Sequence, residues 1–374
     1  MTPGESEPPD TDRTPLIGSV RARAFRIPTD GTESDATLSW DATTLVVVDV
    51  DAGAVHGLGW TYDDTGCVAL INDKLAAAVV GQPLLDVPRS WMIMQHELRN
   101  VGRPGMASCA LSAVDIALWD AAARTLELPL SDLLGRCHDQ VPVYGSGGFT
   151  SQTEDELIAQ LRRWVVELRL PRVKIKIGED RGKRIDRDLD RIRLARDTIG
   201  DVVDLLVDAN GGYSVGQARR VGHRLDDLGV TWFEEPVSSD DHDGLGLLRQ
   251  CCAADIAAGE YGYDLAYFAS MVPVVDCLQI DVTRCGGYTE WRRAAAVAAA
   301  ANREVSAHCA PNLSVPVAAS TQNFRHIEWF VDHERIESEL FDGCLDPTGG
   351  EVAPRSAIGH GLSLREEAAA VYAV

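Results

Sequence analysis

Residue types that move protons or hold metals recur at a regular spacing in the second half of this chain. Lys174 and Lys176 lie two apart in the apolar run Val173-Lys174-Ile175-Lys176-Ile177. Alternate side chains of a strand share a face, so both ammonium groups point one way and the apolar trio points the other. If the trio packs on surrounding helices, the two cations enter one mouth. Their mutual repulsion would lower the pKa of one towards that of a usable base. Taken alone, a Lys-x-Lys pair is equally an exposed edge strand. Asp208, Glu234 and Glu260 each close a short apolar run and recur about every 26 residues, the length of one βα repeat. Three carboxylates brought together repel unless a hard cation neutralises them. Magnesium takes oxygen ligands and keeps positions free for water or substrate. A single acid at a strand end is ordinarily a helix cap or a surface charge; three in successive repeats point to a metal.

Glu235 competes with Glu234 for the ligand role. Alternation puts Glu234 inward and turns Glu235 away, unless the strand end bends. Asn210 shares a face with Asp208 and is a candidate to support the metal or bind substrate, with a local loop hydrogen bond as the plainer role. Asp281 and His308 close two further runs about one repeat apart. A carboxylate on one imidazole nitrogen fixes the tautomer and aim of the other, making a directed acid/base. A structural His–Asp pair is common by itself; opposite a lysine and a metal it reads as catalytic. Glu328 ends the last run and, if protonated, could donate a hydrogen bond to a developing oxyanion; otherwise it is a solvent-facing acid.

These residues need a scaffold that delivers separate strand ends to one place. From residue 141 onward, short apolar runs (141–145, 173–178, 205–210, 231–236, 255–260, 277–284, 304–308, 326–330) alternate with amphipathic stretches (154–168, 185–199, 215–228, 290–301). Eight strands separated by helices predict a parallel barrel, whose active site lies at the strand C-termini. A doubly wound open sheet is the alternative, but Gly145-Ser146-Gly147-Gly148 lacks the GxGxxG spacing that fold would want. Before the barrel, 20–27 and 44–50 are strand-like, with the polar stretch 28–40 between them. Gly57 and Gly59 read as a turn, and helical patterning follows over 68–80 and 107–126. Strands followed by helices suggest a small α+β domain. The segments predicted are a disordered leader over 1–14, the α+β domain over 15–140, the barrel over 141–340 and a C-terminal segment over 341–374.

Bulk properties narrow the partners. A net charge of −22 argues against nucleic acid, which wants a basic face. It does not oppose a small anion, because two lysines and a metal can override a distant charge. The nine cysteines show no zinc spacing and read as idle thiols of a reducing cytoplasm. No signal peptide or lipid-spanning run is read, so the expected location is cytoplasmic, with no membrane partner.

Together these residues resemble the mandelate racemase subgroup of the enolase superfamily. The resemblance runs from about Arg21 to Ile358. It rests on Lys174-x-Lys176, Asp208-Ala-Asn210, Glu234-Glu235-Pro236, Gly259-Glu260, Asp281 followed by Gly286-Gly287, His308 and Glu328, and on the helix 112–120. It implies a (β/α)7β modified TIM barrel under an N-terminal α+β capping domain completed by the C-terminal tail. It also implies a magnesium-stabilised enolate formed from a carboxylate substrate. Lys176 would be the base on one face and the His308–Asp281 dyad the acid/base on the other. Asp208, Glu234 and Glu260 would hold Mg2+, and Lys174 and Glu328 would support the developing charge. Ser146 and Arg284 are further candidates to touch the site. His308 argues against the muconate-cycloisomerase and dipeptide-epimerase branches, which resemble each other in using lysine there. The enolate can lose a β-hydroxyl or be reprotonated on the other face. Dehydration of an acid sugar is favoured, with a racemase or epimerase as the alternative and a catalytically silent carboxylate-binding barrel as the remote one. Cap stretches 28–40 and 57–62 are candidate lids. A homo-oligomer is expected by family analogy.

Overall fold

Three strands form an antiparallel sheet near the start of the described chain: β1 (Ser19–Ser34), β2 (Ser39–Ala52) and β3 (Val55–Tyr62), in that order. The structure, a computed structural model, describes residues 14–374. The expected leader therefore lies, apart from Thr14, outside the described residues. The stretch 28–40 is mostly strand rather than loop: β1 and β2 run on as a long hairpin whose register shifts between Pro28 and Glu33.

The stretch 57–62 is a strand rather than a turn. It is β3, pressed on the helix Met106–Thr125. A Cβ on Gly57 would stand 2.3 Å from Ala117 O, and one on Gly59 2.4 Å from Ala113 O. These glycines serve close approach, not chain reversal. Gly59→Ala should therefore cost about 1–3 kcal/mol through overpacking, read as a lower urea midpoint. An unchanged midpoint would mean that strand and helix can separate freely.

The helix Met106–Thr125 is long and apolar enough to cross a membrane by composition, but 89% of that window is buried inside the protein. Its buried polar residues tie the cap to its surroundings. Ser112 Oγ accepts from Gly286 N at 2.8 Å, Asp115 takes Thr289, and Asp120 takes the backbone N–H groups of Leu58 and His360.

The barrel strands are β4 (Val141–Gly147), β5 (Arg172–Lys176), β6 (Asp204–Asp208), β7 (Val230–Glu234), β8 (Asp255–Ala258), β9 (Cys277–Ile280), β10 (Glu304–Ala307) and β11 (Phe324–Phe330). Each pairs in parallel with the next, and β11 pairs back to β4, closing the ring. Val173, Ile175 and Ile177 join Trp164, Leu170 and Ile192 in the core outside the ring. Tyr144, Leu206, Trp232, Ala257 and Cys277 form a separate buried cluster. That inner layer fills the floor, so inward residues later in each strand stand at the mouth. The tail returns to the cap: Tyr372 O accepts from Arg26 N at 2.8 Å, and Glu366 pairs with Arg23.

Candidate active site

Strand register places the charged residues at one level. Lys176 is opposite Asp208, and Asp208 is opposite Glu234. One carboxylate oxygen each from Asp208, Glu234 and Glu260 lies within 4.8 Å of the other two, all three side chains being buried. Lys176 Nζ is 2.5 Å from Asp208 Oδ2, while Lys174 Nζ is 2.5 Å from Glu234 Oε1 and 2.8 Å from Glu328 Oε1.

These contacts set the charge states. Burial, with repulsion from Asp208, Glu328 and Glu260 working against the pull of Lys174, pushes Glu234 up to about 8. Burial also opposes the charge of Asp208, yet Lys176 and Lys174 hold it below the usual carboxylate range. The expected lowering of a lysine pKa by its neighbour is overturned, since both lysines are held above their ordinary values. Burial and then Lys174 work against a charged Lys176, but Asp208, Glu328 and Glu260 together outweigh them and hold it above its ordinary value. Glu234, Glu328 and Asp208 do the same for Lys174 against burial. The repulsion is real, but the acids together outweigh it.

Glu235 is not turned to solvent. Its φ of 35° bends the chain just past β7, and the residue is buried. Its carboxyl is held well above its ordinary value by burial and then by Glu260, Asp208 and Glu234. Its Oε1, Glu260 Oε2 and Asn210 Oδ1 are buried acceptors with no hydrogen-bond donor among the described residues. Converging carboxylates with unpartnered oxygens suit a hard, oxygen-seeking cation.

Across the mouth, His308 Nδ1 is 2.7 Å from Asp281 Oδ2, and Asp281 Oδ1 accepts from Thr283 N and Oγ1 at 2.7 Å each. Arg284 Nε stands 3.4 Å from Asp281 Oδ2. His308 Nε2 faces Glu260 Oε2 at 3.4 Å. Burial works against the imidazolium, but Glu260, Glu328 and Asp281 raise the His308 pKa above its ordinary value. Glu328 is surrounded by donors. Ser146 Oγ donates at 2.6 Å, and Lys174, His308 and Lys176 hold the carboxyl well below its ordinary range despite burial. The protonated form in which Glu328 could donate is therefore disfavoured here.

A cavity of about 420 Å³ joins these groups, with Lys176, Asn210, Glu260, His308 and Glu328 on its barrel side and Asp35, Trp40, Tyr62 and Asp63 on its cap side. Lys174, Asp208 and Glu234 lie just beneath. A larger space of about 640 Å³, between Met92 and Arg293, contains none of the site's charged groups.

Residues 28–135 match the mandelate racemase/muconate lactonizing enzyme N-terminal domain, and residues 156–368 match an enolase C-terminal domain-like family. The chain belongs to the mandelate racemase/muconate lactonizing enzyme family. A mandelate racemase/muconate lactonizing enzyme-like protein from Rubrobacter xylanophilus is 44% identical, with a TM-score of 0.93 over 96% of this chain and 100% of that one. A racemase from Streptomyces coelicolor, solved with bound magnesium, is 30% identical with a TM-score of 0.90 over 96% and 100%. The 3,6-anhydro-alpha-L-galactonate cycloisomerase of Streptomyces coelicolor is 32% identical over 88% of this chain and 94% of its own length. The L-talarate/galactarate dehydratase of Salmonella typhimurium is 28% identical over 84% and 78%.

Two neighbours in this family member escaped the sequence reading. Tyr144 OH stands 3.3 Å from Lys174 Nζ at the cavity floor, and Cys309 Sγ stands 3.3 Å from His308 Nε2. Only the position of Cys309, directly after a singled-out histidine at a strand end, could have signalled it. Ser146 and Arg284 do reach the site's charged groups. Of the aromatic residues near the candidate lids, Trp60 stacks on Phe341 at 4.2 Å and lies in the core, whereas Trp40 and Tyr62 line the cavity.

Proposed function

We propose that the protein removes the proton alpha to the carboxylate of a hydroxylated acid and expels the β-hydroxyl, dehydrating an acid sugar to a 2-keto-3-deoxy acid. One observation carries this reading: Lys176 and His308 line the same cavity as the edge of a converging acid triad. An α-proton beside a carboxylate is weakly acidic because ionisation adds a second negative charge to the same group. Asp208, Glu234 and Glu260 would hold magnesium, the ion bound in the similar Streptomyces coelicolor racemase. When bound, it supplies positive charge that stabilises this build-up and offsets the acids that hold the lysines charged.

The chain's own groups do the rest. Lys176, as the neutral amine, takes the α-proton. Lys174, fixed by Glu234 and Glu328, presents its charge beside the substrate carboxylate. His308, aimed by Asp281, gives its Nε2 proton to the departing hydroxyl, which leaves as water. The enol then tautomerises to the 2-keto acid. Delivery of that proton to the α-carbon instead would invert the centre. This racemase reading draws on the same pair of groups.

The cap side of the cavity indicates the substrate's tail. Asp35, Asp63 and Asp64 line it, and the guanidinium there, Arg284, is engaged by Glu260 and Asp281. Trp40 Nε1 donates to Glu33 and Tyr62 OH donates to Glu337, so neither polar tip is free for the tail. A second carboxylate would meet like charge at a cost of several kcal/mol, whereas neutral hydroxyls would find acceptors. Aldonic acids should therefore be converted at least about tenfold faster than the corresponding aldaric acids. A panel of both, with magnesium in deuterated buffer, tests reaction and tail together. Keto-acid product from aldonates supports dehydration, and exchange with inversion but no keto acid establishes the racemase. Faster turnover of aldarates refutes the tail assignment alone. Absence of α-proton exchange throughout the panel removes proton abstraction and leaves a silent carboxylate-binding barrel.

A further inference from the structure

Cys309 has no part in the proposed reaction, yet its thiol touches two groups of the site. Its Sγ is 3.3 Å from His308 Nε2 and 3.5 Å from Glu328 Oε2. The third side of this triangle, from His308 Nε2 to Glu328 Oε2, is 3.7 Å. Zinc binds nitrogen and oxygen at about 2.0–2.2 Å and sulfur at about 2.3 Å, so the ligand atoms of a tetrahedral site stand roughly 3.3–3.6 Å apart. The triangle is close to one face of that tetrahedron. All three side chains are buried, and all three line the cavity.

The other side-chain atoms of His308 and Glu328 are engaged elsewhere, which turns Nε2 and Oε2 towards the thiol. His308 Nδ1 is tied to Asp281, which leaves Nε2 to face the cavity. A carboxylate behind a histidine is the usual support for a zinc ligand. Glu328 Oε1 takes Ser146 and Lys174, which leaves Oε2 on the side of the thiol. Cys309 is fixed by its backbone: φ is 47°, and its N–H donates to Glu328 Oε2 at 3.2 Å.

We propose that His308, Cys309 and Glu328 form a second metal site, selective for zinc or another thiophilic divalent ion, with its fourth position open to the cavity. Imidazole and thiolate suit such ions, whereas the neighbouring triad of carboxylates suits magnesium. The ion takes the place of the thiol proton, which passes to solvent, and the thiolate and carboxylate balance its charge. Zinc held there occupies His308 Nε2 and so stops proton transfer to the departing hydroxyl. That inhibitory consequence rests on the proposed reaction; the binding does not.

Cobalt(II), added to the full chain with magnesium present, probes the site as a visible stand-in for zinc. The expected result is a thiolate-to-cobalt charge-transfer band in the near ultraviolet that zinc displaces and Cys309→Ser abolishes. Absence of the band, or its survival in Cys309→Ser, overturns the proposal. Zinc-edge X-ray absorption of the unmodified chain needs no variant: one sulfur among lighter ligands is expected, and an all-oxygen shell overturns the site. In keto-acid formation, Cys309→Ser should raise the zinc concentration for half-inhibition by at least about tenfold, the scale on which a lost metal-site partner weakens affinity. Excess magnesium should not relieve the inhibition. Inhibition that magnesium relieves equally in both proteins would put zinc on the acid triad and refute the inhibitory role. If the thiolate band forms and zinc nevertheless does not inhibit, the site stands and the role of His308 in the reaction falls.

Discussion

Lys176→Ala, assayed in saturating magnesium, is expected to lose both α-proton exchange and turnover by about 10²–10⁴-fold, the contribution of a positioned general base. Lys176 is the lysine that reaches the cavity, while Lys174 is sealed beneath it against Tyr144, Glu234 and Glu328. Lys174 therefore cannot take over from below. Lys176→Arg separates charge from basicity: the guanidinium keeps the positive charge beside Asp208 but does not deprotonate, so activity should remain lost. His308→Ala should differ in kind. Elimination falls because the hydroxyl has no proton donor, while Lys176 still exchanges the α-proton with solvent. Proton NMR in deuterated buffer reads exchange, and a keto-acid assay reads elimination. Exchange that survives in Lys176→Ala would place the base elsewhere, and equal loss of exchange in His308→Ala would make His308 the base on the tested face. Circular dichroism of each variant separates either outcome from misfolding.

The ring of strands could be read from the chain because each barrel strand is a short apolar run that ends on a charge, and the runs recur at the βα repeat. What failed to show depended on partners distant in sequence. Gly57 and Gly59 look alike in a turn and in a strand under a helix; only Ala113 and Ala117 across the interface decide. Met106–Thr125, read from sequence as a helix of the α+β domain, likewise owes its burial to distant partners, the cap sheet and the barrel's residue 286–289 segment. Alternation located Lys174, Lys176, Asp208 and Glu234, but it stops being informative where a strand ends. Asn210, Glu235, Cys309 and Ala310 all have positive φ just past their strands, so neither the inward turn of Glu235 nor the placement of Cys309 follows from period-two counting. Charge states were hardest to read. Lys174 and Lys176 are neighbours in sequence, so their repulsion was visible, whereas the stronger attraction comes from Asp208, Glu234 and Glu328 on other strands.

Glu260→Gln is expected to remove most of the stabilisation that magnesium gives, and to do so without weakening the metal-free protein. The two effects have different origins. Lys176 and Lys174 stand 2.5 Å from Asp208 and Glu234, whereas Arg284 and His308 stand 3.5 Å and 3.4 Å from Glu260, whose Oε2 accepts no hydrogen bond from the described residues and sits beside the other acids. Glutamine keeps the volume and removes one of the converging charges, so like-charge repulsion falls in the metal-free state. The same exchange removes an anionic oxygen ligand. An ion present at about 100 times its dissociation constant stabilises the folded state by about 2.7 kcal/mol, and one whose affinity has fallen about 100-fold stabilises it by only about 0.4 kcal/mol. Thermal melts of parent and variant, each with excess magnesium and with chelator, measure both quantities. The parent should gain several degrees on adding magnesium and the variant little, while the chelated variant should melt no lower than the chelated parent. An equal magnesium-dependent gain in both proteins would show that Glu260 does not hold the ion. A chelated variant that melts well below its parent would show that Glu260 is held by attraction to Arg284 and His308 rather than strained against Asp208 and Glu234.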